Sequence, residues 1–127
     1  MKFTLETIDT LQIALNMRME HCREELTEIV LTGKFETSEG IEPETVNSVY
    51  SKELQKHFSI AAYKAMQSAK EKIKKATQKD LMNFDYFDAM ELTQIIKAVG
   101  ALKSEHAELT SFLVDALVWN LLKDKNQ

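Results

Sequence analysis

The sequence predicts an all-α protein, a single domain over residues 1–127 that forms a helical bundle of about four helices. The chain contains three glycines and one proline, whereas folds built from many short strands need frequent turns rich in both residues. Apolar residues recur in steps of three and four, which is the spacing of one helix face. The apolar share of 44% and the charged share of 28% are ordinary for a globular domain.

The first predicted helix runs from about Leu5 to Leu31. Thr4 can cap its start, and Phe3 and Ile8 then have the spacing of a hydrophobic staple. Gly33 stands where a glycine commonly ends a helix. The apolar stripe of this helix comprises Ile8, Leu11, Leu15, Met19, Cys22, Leu26 and Ile29.

The second predicted helix starts near Pro43 and continues to about Thr77, because proline is preorganised for the first helical position. We expect the two long helices to form an antiparallel hairpin across the connection at residues 34–42. The apolar stripe of the second helix comprises Val46, Val49, Tyr50, Leu54, Phe58, Ala62, Ala65, Ala69, Ile73 and Ala76.

The third predicted helix follows a turn at residues 78–84. Asn83 or Asp85 can cap its start, and Gly100 can end it. The apolar residues that it carries are Phe87, Ala89, Leu92, Ile95, Ile96 and Val99.

The fourth predicted helix, capped by Ser104 and ending near Lys123, differs from the others. Between residues 112 and 122 only Asp115 and Asn120 are polar, and a helix that is apolar nearly all round must be covered on most sides. We expect a homo-oligomer contact through this helix; the alternative is a central helix of a monomer that simply exposes Trp119 or Val118. The predicted partner-binding residues are Phe112, Leu113, Leu117, Val118, Trp119 and Leu121.

Charge and composition exclude several functional classes. The net charge of −4 and the pI near 5.4 argue against bulk attraction to nucleic acid or anionic membranes. No apolar run approaches the roughly 18 residues of a membrane span. The single cysteine, Cys22, excludes an intrachain disulfide. Together these features predict a cytoplasmic protein.

Residues 64–79 form a basic stretch with six lysines and one acid, Glu71. Such a stretch can be a solvated helix face that complements the helix dipole, a site for an acidic protein, or a nucleic-acid site. It contains no arginine and no aromatic residue, which base recognition and stacking favour. The candidate basic patch comprises Lys70, Lys72, Lys74, Lys75 and Lys79.

Acidic residues three apart on one helix face are the strongest candidate for chemistry, since paired acidic helices can hold Mg²⁺ against phosphates. The alternative is a solvated acidic face. The candidates are Glu24, Glu25 and Glu28 on the first helix, and Asp85, Asp88 and Glu91 on the third. The pattern resembles all-helical nucleoside-triphosphate pyrophosphatases of the MazG type, which implies a Mg²⁺-dependent nucleotide hydrolase.

Other catalytic signatures are missing from the sequence. None of the three histidines follows a glutamate by three residues, as bundle metal sites require. Cys22 lies on an apolar stripe and is expected to be buried. There is no glycine-rich phosphate loop and no nucleophile motif. We therefore predict no catalytic, cofactor-binding or metal-binding residues and no enzyme activity.

An aromatic corner lies between the second and third predicted helices, where Phe84, Tyr86 and Phe87 follow Met82 and precede Met90. Such a cluster can anchor a partner or form a small core that closes the turn.

The opening residues 3–15, which lead into an acidic helix, resemble small helical proteins encoded by phages, prophages and mobile elements of Gram-positive bacteria. This resemblance implies a protein that binds and modulates a host protein. The sequence as a whole predicts a non-enzymatic, self-associating module that binds another protein. The alternatives are a nucleic-acid-associated regulator and the nucleotide hydrolase.

Overall fold

The computed structural model describes residues 2–32, 36–37, 40–41 and 46–125, and the side chains of residues 2–25 and 59–123. These residues form five helices and one two-stranded antiparallel ladder, so the all-α class is confirmed. The ladder lies in a connection for which the sequence predicted no regular structure. The elements are α1 (Leu5–Thr32), β1 (Glu36–Thr37), β2 (Gly40–Ile41), α2 (Val46–Lys75), α3 (Gln78–Leu81), α4 (Ala89–Gly100) and α5 (Ala107–Lys125).

Helix α1 begins where the sequence predicted. The Thr4 side chain accepts a hydrogen bond from the Thr7 amide at 3.2 Å, Phe3 is buried, and Ile8 packs against the core. The predicted stripe faces the core as far as Cys22. Gly33 and the side chains of Leu26 and Ile29 lie outside the described residues.

Helix α2 turns its predicted stripe toward the core from Ala62 to Ala76, and Met66 beside that stripe is fully buried. Cys22 on α1 donates a hydrogen bond to the Ser59 carbonyl on α2 at 3.3 Å. Pro43 and the stripe side chains at positions 46–58 lie outside the described residues. The antiparallel hairpin of the two long helices therefore stays a prediction.

A short helix replaces part of the turn predicted at residues 78–84. Thr77 and Asp80 form a reciprocal capping box around the start of α3, with hydrogen bonds of 3.0 and 3.1 Å. These bonds satisfy amides that a helix start leaves without intrahelical partners, which is why the chain forms a helical turn here.

The predicted caps of the third helix, Asn83 and Asp85, were wrong. Asp88 caps α4 instead, and its side chain accepts a hydrogen bond from the Glu91 amide at 2.8 Å. The Asn83 side chain accepts from the Asp85 amide at 2.9 Å, so both residues belong to the loop before the helix.

The predicted end of the third helix at Gly100 is confirmed, but the predicted cap of the fourth helix is wrong. Gly100 is the last residue of α4, and Ala101 follows in a right-handed conformation. Ser104 does not cap α5, because α5 begins at Ala107 and the His106 carbonyl accepts a hydrogen bond from the Thr110 amide at 2.9 Å.

The core lies where α1, α2, α4 and α5 meet, and α3 and the loop after it contribute one residue each. None of the described helices is both long and apolar enough to cross a membrane. The buried cluster comprises Phe3, Leu11, Ala14, Leu15, Met19, Cys22, Met66, Ala69, Ile73, Leu81, Phe87, Leu92, Ile95, Ala98, Val99, Leu109, Leu113 and Ala116.

Candidate protein-interaction site

Helix α5 is apolar on two opposite sides. Leu109, Leu113 and Ala116 are buried on the side that packs against the core. Val114 and Val118 are displaced from this side by roughly half a turn, since consecutive residues of a helix are rotated by about 100°. The helix therefore presents a second apolar surface to its surroundings.

We call this second surface the outer face of α5. Its apolar side chains follow steps of four, three and one along the helix, and each is between 40% and 55% exposed. A helix of a globular protein ordinarily carries charged and polar residues on this side. The outer face comprises Val114, Val118, Leu121 and Leu122, with Trp119 at its edge.

The structure divides the predicted partner-binding residues into two groups. Leu113 is 1% exposed, and Phe112 and Leu117 pack partly buried against the core; these three residues stabilise the chain's own interior. Val118, Trp119 and Leu121 are exposed on the outer face or at its edge.

Val114 and Leu122 were not among the predicted partner-binding residues. Both could have been found from their spacing, because each lies four residues from Val118 on the same side of the helix.

The Phe112 ring belongs to an aromatic cluster in the interior. Its centroid lies 5.3 Å from that of Phe3 and 5.3 Å from that of Phe84, distances that are favourable for edge-to-face or tilted contacts. Phe112 therefore joins the start of the chain to the loop before α4.

The three aromatic residues of the corner at residues 82–90 pack against the core. Phe87 is buried, and Phe84 and Tyr86 pack partly buried against the core, as expected for a small core that closes the turn. Met82 and Met90 are exposed.

A polar cluster lies beside Trp119, at the edge of the outer face. The Asp85 carboxylate accepts hydrogen bonds from Lys123 Nζ at 2.9 Å and from Trp119 Nε1 at 3.1 Å. The bond from Lys123, and then that from Trp119, lowers the pKa of Asp85. The indole is thereby held against the loop, and with Met82 and Phe84 it lines an open groove of about 510 Å³.

Asn120 also fixes α5 to the same loop. Its side-chain amide donates to the carbonyl oxygens of Phe84 and Ala116, both at 2.8 Å. The outer face is thus carried by a helix whose position relative to the loop is set by hydrogen bonds.

The candidate basic patch is divided as well. Lys72 is turned toward Glu91, and its Nζ lies 2.6 Å from the carboxylate; Lys74 pairs with Glu71 at 3.7 Å on the surface. Lys70 is half-buried, and Lys75 and Lys79 are exposed. The nucleic-acid interpretation stays a prediction. One of its five lysines, Lys72, forms an ion pair with the buried Glu91.

Glu91 is a buried carboxylate, although the sequence pattern predicted either a Mg²⁺ ligand or part of a solvated acidic face. It is 1% exposed and accepts hydrogen bonds from Ser68 at 2.6 Å, from Lys72 at 2.6 Å and from the Asp88 amide at 2.8 Å. The Asp-x-x-Glu spacing of a capping box was the signal for part of this role.

The acidic residues proposed for Mg²⁺ do not form a metal cluster in the part of the chain that is described. Glu24 and Glu25 are exposed on α1, while Asp85 binds Lys123 and Asp88 caps α4. Among the described side chains, no three His, Cys, Asp or Glu residues lie close enough together to hold a metal ion. The side chain of Glu28 lies outside this part.

Cys22 is buried, as the sequence predicted. Burial raises the pKa of its thiol, and the charge of Glu25 raises it further. A thiol of raised pKa forms little thiolate near neutral pH and is a poor nucleophile. The neighbouring His21 is exposed, with its ring 3.2 Å from the Glu25 carboxylate.

No family model, curated protein or solved structure matches this chain. The interpretation of the outer face therefore rests on its geometry and chemistry.

Proposed function

We propose that this chain is a non-enzymatic helical protein-binding module that self-associates through the outer face of α5. The observation that carries the proposal is the set of four half-exposed apolar side chains on the side of α5 opposite its core face, with Trp119 as a fifth at the edge. Exposed apolar surface of this kind, grouped on one helix, is typical of protein interaction sites.

The size of the outer face is compatible with the centre of an interface. Five half-exposed apolar side chains present on the order of a few hundred Å², the range of the largest patches on monomeric proteins. A stable interface buries about 800 Å² per partner. The groove beside Trp119, with Met82 and Phe84, supplies adjoining area.

A second copy of the chain is the partner that fits this face most simply. In a twofold contact the same patch covers itself, and two antiparallel α5 helices that cross at Val118 bring Val114 of each copy next to Leu122 of the other. Val118 then lies at the centre, where truncation or charge has the largest effect on association.

Sedimentation over a range of protein concentrations tests the proposal. The wild-type chain should shift from its 14.6 kDa monomer mass to twice that mass as concentration rises. Val118→Asp should remain monomeric, because the dimer would bury two unpaired carboxylates. Ala61→Asp, at an exposed position of α2, is the matched control and should dimerise normally. A wild-type chain that stays monomeric at millimolar concentration would refute self-association.

The resemblance to phage and mobile-element proteins supports one extension, that the outer face also docks on a host protein. Affinity capture followed by mass spectrometry tests it if wild type, Val118→Asp and Ala61→Asp are compared. A host protein retained by wild type and Ala61→Asp but lost with Val118→Asp is the expected result. Equal capture by all three would contradict the extension.

A further inference from the structure

A pocket of about 400 Å³ lies between α1, α2 and α4, away from the residues of the outer face. Its volume is within the range of small-molecule sites. The described residues give it two chemically different parts. Ala62 and Met90 give it accessible apolar side chains, and Arg18, Gln94 and Lys97 give it polar ones.

Gln94 orients the guanidinium of Arg18. The Nε of Arg18 donates to Gln94 Oε1 at 3.0 Å, and Gln94 is 5% exposed, so the acceptor is held by the interior of the fold. This bond uses Nε and leaves the two terminal amino groups of the guanidinium to contact a ligand. A guanidinium held in this way can offer parallel N–H donors to a carboxylate or phosphate.

Lys97 adds a second positive charge to the pocket. It lies three residues after Gln94 on α4 and is exposed, so its ammonium is available at the pocket mouth. The only carboxylate among the described lining residues is Glu25, which lies 3.2 Å from the His21 ring. Arg18 and Lys97 against Glu25 therefore leave the described lining with an excess of one positive charge, which favours an anion.

The apolar part suits a hydrophobic body attached to that anion. Ala62 and Met90 supply its accessible apolar side chains, since Met66 is fully buried and Cys22 nearly so. Methionine side chains are flexible and polarizable, and they adapt to flat apolar groups.

We propose that this pocket binds a small organic anion, with its carboxylate or phosphate on Arg18 and Lys97 and its apolar body against Ala62 and Met90. This site is independent of the outer face of α5, so it can exist whether or not the chain self-associates. Thr93 lines the same pocket and serves as a reporter of occupancy.

The proposal is tested by titrating ¹⁵N-labelled protein with three probes: naphthalene-1-carboxylate, its neutral carboxamide and inorganic phosphate. The carboxylate should shift the amide signals of Cys22, Thr93, Gln94 and Lys97. It should bind about tenfold more tightly than the carboxamide, as expected for loss of a charge-assisted hydrogen bond. Phosphate should bind more weakly than the carboxylate, since it lacks an apolar body.

Two variants and a control locate the binding. Arg18→Gln and Lys97→Gln should each weaken carboxylate binding by about threefold to tenfold, and Lys97 is exposed, so its replacement leaves the fold intact. Arg23→Gln makes the same charge change at an exposed position of α1 outside the pocket and should bind like wild type. Equal affinity for acid and amide, signal shifts confined to other regions, or unchanged binding in both pocket variants would each overturn the proposal.

Discussion

Helices α4 and α5 differ in what they bury and what they expose. Helix α4 buries two polar side chains, Glu91 at 1% and Gln94 at 5% exposure, whereas α5 leaves Val118 and Leu121 about half exposed. Both arrangements are unfavourable unless something compensates for them, because buried polar groups need hydrogen bonds and exposed apolar groups order water.

The compensation for α4 lies within the chain. Glu91 is bonded by Ser68 and Lys72 from α2, and Gln94 by Arg18 from α1. Among the described side chains, every fully buried nitrogen and oxygen atom has a hydrogen-bond partner. The compensation for α5 is not found in the described part of the chain, and this difference is the basis for proposing that a second copy provides it.

The largest effect is expected from removing the Glu91 carboxylate. Glu91→Ala leaves Lys72 without its anion and removes half of the α4 capping box, so we expect a loss of about 3 kcal/mol in the free energy of unfolding. Lys72 is 37% exposed and can reach water. The expected loss of free energy therefore lies at the lower end of the range for breaking a buried ion pair. Urea denaturation measures it.

The matched control for this variant is Glu71→Ala. Glu71 is 60% exposed and 3.7 Å from Lys74, so its removal should cost less than about 0.5 kcal/mol. Equal losses for the two glutamates would mean that the buried network on α4 adds nothing to stability.

The two faces of α5 should respond differently to the same truncation. Leu113→Ala creates a cavity in the core and should cost about 2–3 kcal/mol. Leu121→Ala on the outer face should cost less than about 0.5 kcal/mol in the monomer. Denaturation at low protein concentration isolates the monomer, and similar losses for both leucines would show that the outer face is covered within the chain.

Trp119 provides a smaller, optical test of the comparison. It is the only tryptophan and lies half-exposed at the edge of the outer face. Its fluorescence emission should move to shorter wavelength by several nanometres as concentration rises, because association removes water from the indole. Val118→Asp should show no such shift. A shift of equal size in that variant would mean that the spectral change does not arise from association through the outer face.

The smallest effect concerns the titration of Asp85. Its pKa should lie below the ordinary value of about 3.9, because Lys123 and Trp119 donate hydrogen bonds to the ionised form. Because folding lowers this pKa, the ionised carboxylate stabilises the fold at pH values above the pKa of the unfolded chain. This contribution is lost as the pH falls through the pKa of the folded protein. Side-chain NMR titration measures the pKa, and Lys123→Met should return it toward 3.9; an unchanged value would assign the shift to another group.

The sequence predicted the α1 stripe, the class of the fold and the surplus apolar surface of α5, because each depends on spacing along one helix. The partners of Glu91 and Gln94 could not be predicted in the same way. Ser68 and Lys72 are separated from Glu91 by 23 and 19 positions, and Arg18 from Gln94 by 76. These contacts depend on how the helices pack, which a pattern within one helix does not encode.

The spacing of acidic residues was also ambiguous, because the same spacing is compatible with two different roles. Asp88 and Glu91 are three residues apart, as a pair of metal ligands on one helix face can be, but the same spacing defines a capping box. The structure uses them for capping. Thr77 and Asp80 have the corresponding spacing at the start of α3. A turn was predicted there because a helix of one turn is too short to show a periodic pattern of apolar residues.

The loop between α3 and α4 has a consequence for hydrogen exchange. Tyr86 donates through its hydroxyl to the Lys72 carbonyl at 2.6 Å, and Lys72 donates back to the Tyr86 carbonyl at 3.2 Å. The Tyr86 amide is itself bonded to the Asn83 carbonyl. This bond must open before deuterium replaces the amide proton, and the two bonds to Lys72 hold the loop in place, so we expect the exchange of this amide to be slowed. The exchange rate of the Tyr86 amide would then report how stably the loop is bound to α2.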